Sequence, residues 1–343
     1  MTQKPAVLID PHFRRMEEIF SSADLRRLRE LADVRWGRDE PMPLEQARRE
    51  LTEAVAVVCS SWRYGDVLTH AGTPNLRAII DVGGSFPVGL DYGRCFDRRI
   101  RVLTAAPAFG RQVAEMALAM ALAATRDVAA GDRAMREGKE RWLHAGNEGT
   151  FLLFGKRAGM IGYGSLARAL RPLLGPFSCS LHVYDPWLAP GYLRSLGLEP
   201  LGLEALLETS DVIFVLSAPT IENRALLSRE RLVRIRPSAV LVLMSRAYVV
   251  DFDALTEMVM AGRFKAAIDV FPREPLPLDH PIRRAPGAVL SAHRAGSVRE
   301  GLWDIGRMVV DDLESIVLGL PPQQLQVAQP ELVGRQVPGS AES

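Results

Sequence analysis

Short runs rich in valine, isoleucine and leucine recur along this chain, with helix-length stretches between them. This alternation constrains the fold more than any single residue does. A first series predicts strands at Ala6–Ile9, Val55–Cys59, Arg77–Asp81 and Ile100–Leu103, with a helix around Ala23–Ala32. A second series predicts strands at Ala158–Gly162, Ser180–Tyr184, Val212–Leu216, Ala239–Leu243, Ala266–Val270 and Val289–Ala292, with a helix at Phe252–Ala261. The runs of the second series lack strict polar–apolar alternation, as strands buried on both faces of a parallel sheet do. Strands alternating with helices imply βαβ units, and two such series imply two α/β domains. Between them, an apolar-rich stretch from about Arg111 to Gly138 predicts one long helix, suited equally to a junction and to a core. After Leu320 the chain turns rich in proline and glutamine, and its last residues are expected to be mobile.

The formal net charge of +1 gives no electrostatic case for a nucleic-acid partner or an anionic membrane. Cys59, Cys95 and Cys179 are scattered, without zinc spacing or a disulfide framework, and no His/Cys/Asp cluster suggests a metal. With no apolar run of signal-peptide or membrane-spanning length, the expected location is the cytoplasm.

Chemistry enters at GMIGYGSLARAL, Gly159–Leu170. The turn Gly162-Tyr163-Gly164 follows a predicted strand and opens a predicted helix, the placement a dinucleotide site requires. Gly162 permits the tight turn, and Gly164 lets a pyrophosphate approach the backbone. The amides of Tyr163, Ser165 and Leu166 then face the phosphates at the helix start. Ala167 replaces the third glycine, which serves only helix–strand packing. The next strand ends at Asp185, placed to accept hydrogen bonds from ribose hydroxyls and to repel a 2′-phosphate, which favours NAD over NADP. The alternative is a packing turn beside a surface carboxylate.

Three later segments put polar residues just past strand ends, where open α/β sheets bind ligands. They are VLMSRAYVVDFDAL with Arg246, AAIDVFPREPLP with Asp269 and Glu274, and VLSAHRAGS with His293. Taken singly, each is more often solvated or structural. Together, with the late dinucleotide turn and the stretch before it, they make most of the chain resemble the D-isomer-specific 2-hydroxyacid dehydrogenases.

The resemblance implies a Rossmann NAD-binding domain over 111–296, inserted into a flavodoxin-like substrate domain built from 1–110 and 297–343, both doubly wound parallel sheets. It carries Arg246, Glu274 and His293 over as the catalytic trio, Asp269 as partner of the nicotinamide carboxamide, and Pro219 as part of the cofactor loop. It also implies a homodimer. Chemically the trio is coherent. An arginine fork can hold carboxylate and ketone oxygens, an imidazole can donate the proton, and Glu274 beside it favours the protonated form. The amides of the Gly83-Gly84-Ser85 loop are expected to bind the substrate carboxylate, although the glycine pair reads equally well as a plain turn. Arg63, Arg111 and Arg294 are candidates for a second anionic group on the substrate, against the simpler reading of solvated arginines. Trp62 could wall a bulky side chain.

The sequence departs from the family at Leu243 and Ala247, where Asn and Gly are common, and at Pro219-Thr220, which matches a P-x-T pattern only in part. Without a further regulatory domain, feedback control of the long phosphoglycerate dehydrogenase kind is not expected. The alternatives are oxidation of a non-hydroxyacid anion, as in formate and phosphite dehydrogenases, and an NADH-sensing corepressor-like protein.

Overall fold

The computed structural model describes residues 4–69, 71–335 and 337, so the expected mobile C-terminal end lies outside the described residues. The chain divides into two compact units. One runs to Phe109 and resumes at Ser297; the other is Gly110–Gly296.

Among the described residues, thirteen strands follow in chain order. In the first unit they are β1 (Ala6–Asp10), β2 (Asp33–Trp36), β3 (Ala56–Cys59), β4 (Ala78–Asp81) and β5 (Arg101–Thr104). The second unit holds β6 (Arg157–Ile161), β7 (Ser180–Tyr184), β8 (Glu199–Pro200), β9 (Val212–Val215), β10 (Val240–Leu243), β11 (Lys265–Ile268) and β12 (Ala288–Leu290). A last strand, β13 (Gln326–Val327), returns to the first.

The first sheet has the order β13-β5-β4-β3-β1-β2. Its parallel part, 2-1-3-4-5, is the flavodoxin-like order. Among the described strands of this sheet only β13 is antiparallel, pairing Gln326 with Thr104 and Val327 with Leu103. Both faces of this sheet are covered. Val7, Ile9, Val58, Ile80 and Leu103 pack on one side with helix Arg299–Val317 through Leu302, Ile305, Val309 and Leu313. On the other side, Leu8, Val57, Ile79 and Val102 pack with Leu51, Trp62 and Tyr64. This double burial explains why the strands read as unbroken apolar runs.

The second sheet has the order β12-β11-β10-β9-β6-β7-β8, the Rossmann order extended by one strand. Sequence order reverses between β6 and β9, and such a switch point opens a crevice beyond the strand ends. The stretch Arg111–Gly138 is not one helix. It is Gly110–Thr125 followed by Val128–Glu137, broken at Asp127 with φ +51°. The break has a polar cause: Lys265 Nζ donates to both Asp127 carboxylate oxygens (2.6 and 2.7 Å) and to Gly149 O. Among the described residues, no helix is long and apolar enough to cross a membrane.

Candidate active site

The turn after β6 is built as a phosphate-binding turn requires. Gly162 has φ +86°, and a Cβ there would lie 2.6 Å from Ser217 Cα, so only glycine fits against the chain leaving β9. Gly164 is the N-cap of helix Ser165–Leu174 and places no side chain over the first-turn N–H groups. A Cβ on Gly164 would meet nothing within 4 Å. Ala167 is fully buried against the sheet, the packing role expected of the third position. The amides at 165 and 166 therefore start a helix beside open space, where a helix dipole favours an anion.

Asp185, just past β7, accepts Tyr163 N–H on Oδ2 (2.8 Å) and Trp187 N–H on Oδ1 (3.0 Å). It is thereby locked to the turn. Arg168 stacks near Tyr163 and Tyr192, with its guanidinium carbon 5.2 and 5.8 Å from the two ring centres. Further along the strand ends, the hydroxyls of Ser217, Ser245 and Ser291 are buried without a partner. Buried polar groups are normally satisfied, so three orphaned hydroxyls beyond β9, β10 and β12 fit a bound polar molecule. Pro219 is half-buried in the loop after β9.

The structure brings Glu274 and His293 together: His293 Nδ1 lies 2.6 Å from Glu274 Oε2. The other carboxylate oxygen, Oε1, accepts Phe271 N–H (2.9 Å), which fixes the carboxylate. His293 has φ +50°, in the left-handed region, and Asp269 holds it there. Asp269 O accepts His293 N–H (2.8 Å), while its carboxylate oxygens accept the amides of Arg294 (3.1 Å) and Ala295 (3.2 Å). Asp269 is 1% exposed. That arrangement makes it an anchor of the histidine loop.

Arg246 follows β10 with extended backbone, and its Nη1 donates to Ser245 O (2.8 Å). Burial lowers its pKa, and the Glu274 carboxylate opposes that shift. The departures around it are accommodated. Leu243 is fully buried in β10, and Ala247 is not among the positive-φ residues, so that position does not demand glycine.

In the first unit, two expectations need correction. Arg63 does not present a free fork: Nε and Nη2 donate to Asp10 Oδ2 (3.1 and 2.5 Å), and Nη2 also reaches Met42 O. Tyr64 Oη donates to the same carboxylate oxygen (2.7 Å). The charge of Arg63 is thus compensated by a buried aspartate, and Trp62 is likewise tied, donating to Gly65 O. The second correction concerns Gly83 and Gly84. Their amides donate to Asp81 Oδ1 (2.8 and 3.1 Å), so they are not vacant for a ligand. Asp81 escaped notice in the sequence, although a carboxylate two residues before tandem amides is the signal for such a turn. Arg294 is exposed beyond His293, and Arg111 opens the Gly110–Thr125 helix. Among the described residues, no group of His, Cys, Asp and Glu could hold a metal ion.

Residues 118–295 match the model of the D-isomer specific 2-hydroxyacid dehydrogenase NAD binding domain. A D-3-phosphoglycerate dehydrogenase of Archaeoglobus fulgidus is 30% identical over 82% of this chain, but that match covers 53% of the relative, so the chain spans about half the length of such proteins. A glyoxylate reductase of Korarchaeum cryptofilum is 30% identical, with 75% of this chain and 78% of the relative covered. Among solved structures, a phosphoglycerate oxidoreductase from Rhizobium etli superimposes with a TM-score of 0.85 at 36% identity, covering 96% of this chain and all of that one. With this match spanning both units and the family model spanning the second, the chain belongs to the D-isomer specific 2-hydroxyacid dehydrogenase family.

Proposed function

We propose that the protein interconverts a 2-keto acid and a D-2-hydroxy acid with NAD(H). The observation that carries this reading is the His293–Glu274 pair at 2.6 Å, set on a loop fixed by Asp269. NADH, when bound, supplies the hydride. Gly162, Tyr163, Gly164, Ser165 and Leu166 would hold its pyrophosphate, Asp185 its ribose hydroxyls, and Pro219 would line the loop beside it.

With Nδ1 committed to Glu274, His293 Nε2 is the atom that gives a proton to the ketone oxygen as hydride arrives. Oxidation returns it to the same nitrogen. Glu274 keeps the imidazole oriented through its contact with Nδ1. Arg246 offers a planar fork to the substrate carboxylate and ketone oxygen, and stabilises charge building on the latter. Its partial burial strengthens that interaction.

The relatives named for phosphoglycerate and for glyoxylate bracket two substrate classes, with and without a second anion. Arg294, exposed next to His293, is the candidate reader of a phosphate. The residues 128–154 expose Val128, Met135, Trp142, Leu143, Leu152 and Phe154. Exposed apolar side chains gathered in one segment suit a partner surface, which supports a homodimer. Light scattering tests the assembly. The function is tested by NADH oxidation across phosphorylated and unphosphorylated 2-keto acids, with NADPH in parallel. NADH-selective turnover of one class is expected. Tight NADH binding without turnover of any of them would sink the reading and favour a sensor.

A further inference from the structure

A groove of about 760 Å³ opens on the second unit, lined by helix Ser165–Leu174, the short helix Pro190–Ser195 and the amino end of β7. Its volume is that of a small-molecule site. Arg168 and Arg171 line it from the first helix, three residues apart and so on one face, and Arg194 lines it from the second. Among the described residues, none of these three arginines forms an ion pair with a carboxylate. Elsewhere in this unit the arginines are paired, Arg231 with Glu204 (3.1 Å) and Arg236 with Asp211 (3.0 Å). The groove lining holds one carboxylate, Glu199, against the three arginines, a formal +2. It is not the candidate active site: Asp185 lies past the carboxyl end of β7, about 16 Å along the strand from Ser180.

The contacts these arginines make leave their charge uncompensated. Arg168 Nη1 donates to Tyr192 Oη (3.0 Å) and Arg171 Nη2 donates to Leu196 O, both neutral acceptors. The Arg194 side chain makes no hydrogen bond among the described residues. Arg171 and Arg194 stand in the last turns of their helices. A helix end carries about half a negative charge, less than the arginines bring. We propose that this groove is a second ligand site and that it takes a small phosphorylated molecule. A phosphate dianion matches the formal +2, where a single carboxylate would leave half of it unanswered. Guanidinium forks read phosphate oxygens through paired, charge-assisted hydrogen bonds. Pro172 and Leu196 also line the groove, which is larger than a bare phosphate and has room for the organic part.

The test is calorimetric titration of the full chain with inorganic phosphate at pH 8 and constant ionic strength, comparing the parent with the double variant Arg171→Gln/Arg194→Gln. The parent should bind with a Kd of about 1 mM or tighter, and the double variant about tenfold more weakly. Phosphate taken up at the candidate active site survives in the double variant, so the difference between the two isotherms belongs to the groove. Identical isotherms, or no binding by the parent, overturn the proposal. Should the double variant not fold, Arg194→Gln alone decides, since that side chain makes no hydrogen bond in the fold. It should weaken binding about threefold, and an unchanged Kd overturns the proposal. The measurement uses no turnover, so a parent protein inactive on every keto acid defeats the functional reading alone.

Discussion

The turn at Gly162–Gly164 and the loop at Gly83–Ser85 share one design. Each places consecutive amides just past the carboxyl end of a parallel strand, and each depends on a positive-φ glycine, Gly162 at +86° and Gly84 at +95°. Their contents differ. At the first, the carboxylate comes from just past the neighbouring strand, accepts the Tyr163 amide of the turn and its own loop's Trp187 amide, and Gly164 borders open space. At the second, the carboxylate sits two residues upstream on the same strand and takes three amides. A glycine pair therefore signals a bend. What the bend can bind is decided by the carboxylate nearest in sequence or across the sheet.

The largest effect is expected at the chemistry that the open turn serves. His293→Asn should lower kcat by about 10³-fold while NADH affinity, read by fluorescence titration, stays within twofold. Unchanged kcat would mean that the open turn serves another reaction. Next is Gly162→Ala, which combines a strained φ with a collision at Ser217. It should destabilise the second domain by about 3 kcal/mol in urea unfolding.

A smaller effect separates the two loops by pH. Burial pushes the Asp81 carboxyl up to about 8, against the pull of the loop amides. A carboxyl whose folded pKa exceeds its unfolded value keeps more protons in the folded state. Its contribution to stability is therefore full at low pH and falls as pH rises from about 4 to 8. Asp81→Asn should flatten this decline by about 2 kcal/mol between about pH 5 and 6.5, as measured by denaturant midpoints. An identical pH slope in the variant would show that Asp81 does not titrate there. The smallest effect is at Gly164→Ala, where no protein atom is met. Stability should hold within about 0.5 kcal/mol, while NADH affinity falls about tenfold because the methyl group stands where the pyrophosphate would lie.

The strands were legible because burial on both faces writes continuous apolar runs, as in Ala56–Cys59 and Val240–Leu243. The short strands β2, β8 and β13 were not, since DVRW is only half-buried and the other two are two residues long. The helix break at Asp127 was hidden because its cause, Lys265, lies 138 residues away. Distance hides Arg63 in the same way: its partner Asp10 is 53 residues upstream. Glu274 and His293 could be named as a pair from their segments, whereas the hold of Asp269 on the histidine loop depends on backbone directions that no residue pattern carries.

The return of the chain to its first sheet sets an order of manufacture. Helix Arg299–Val317 and strand β13 complete a core begun by β1, β3, β4 and β5, yet they leave the ribosome about two hundred residues after β5. The continuous domain Gly110–Gly296 has all its strands in hand earlier. During synthesis the segment made first is thus the one finished last, and it waits with an open edge at β5, a surface on which chaperones or neighbouring nascent chains can pair.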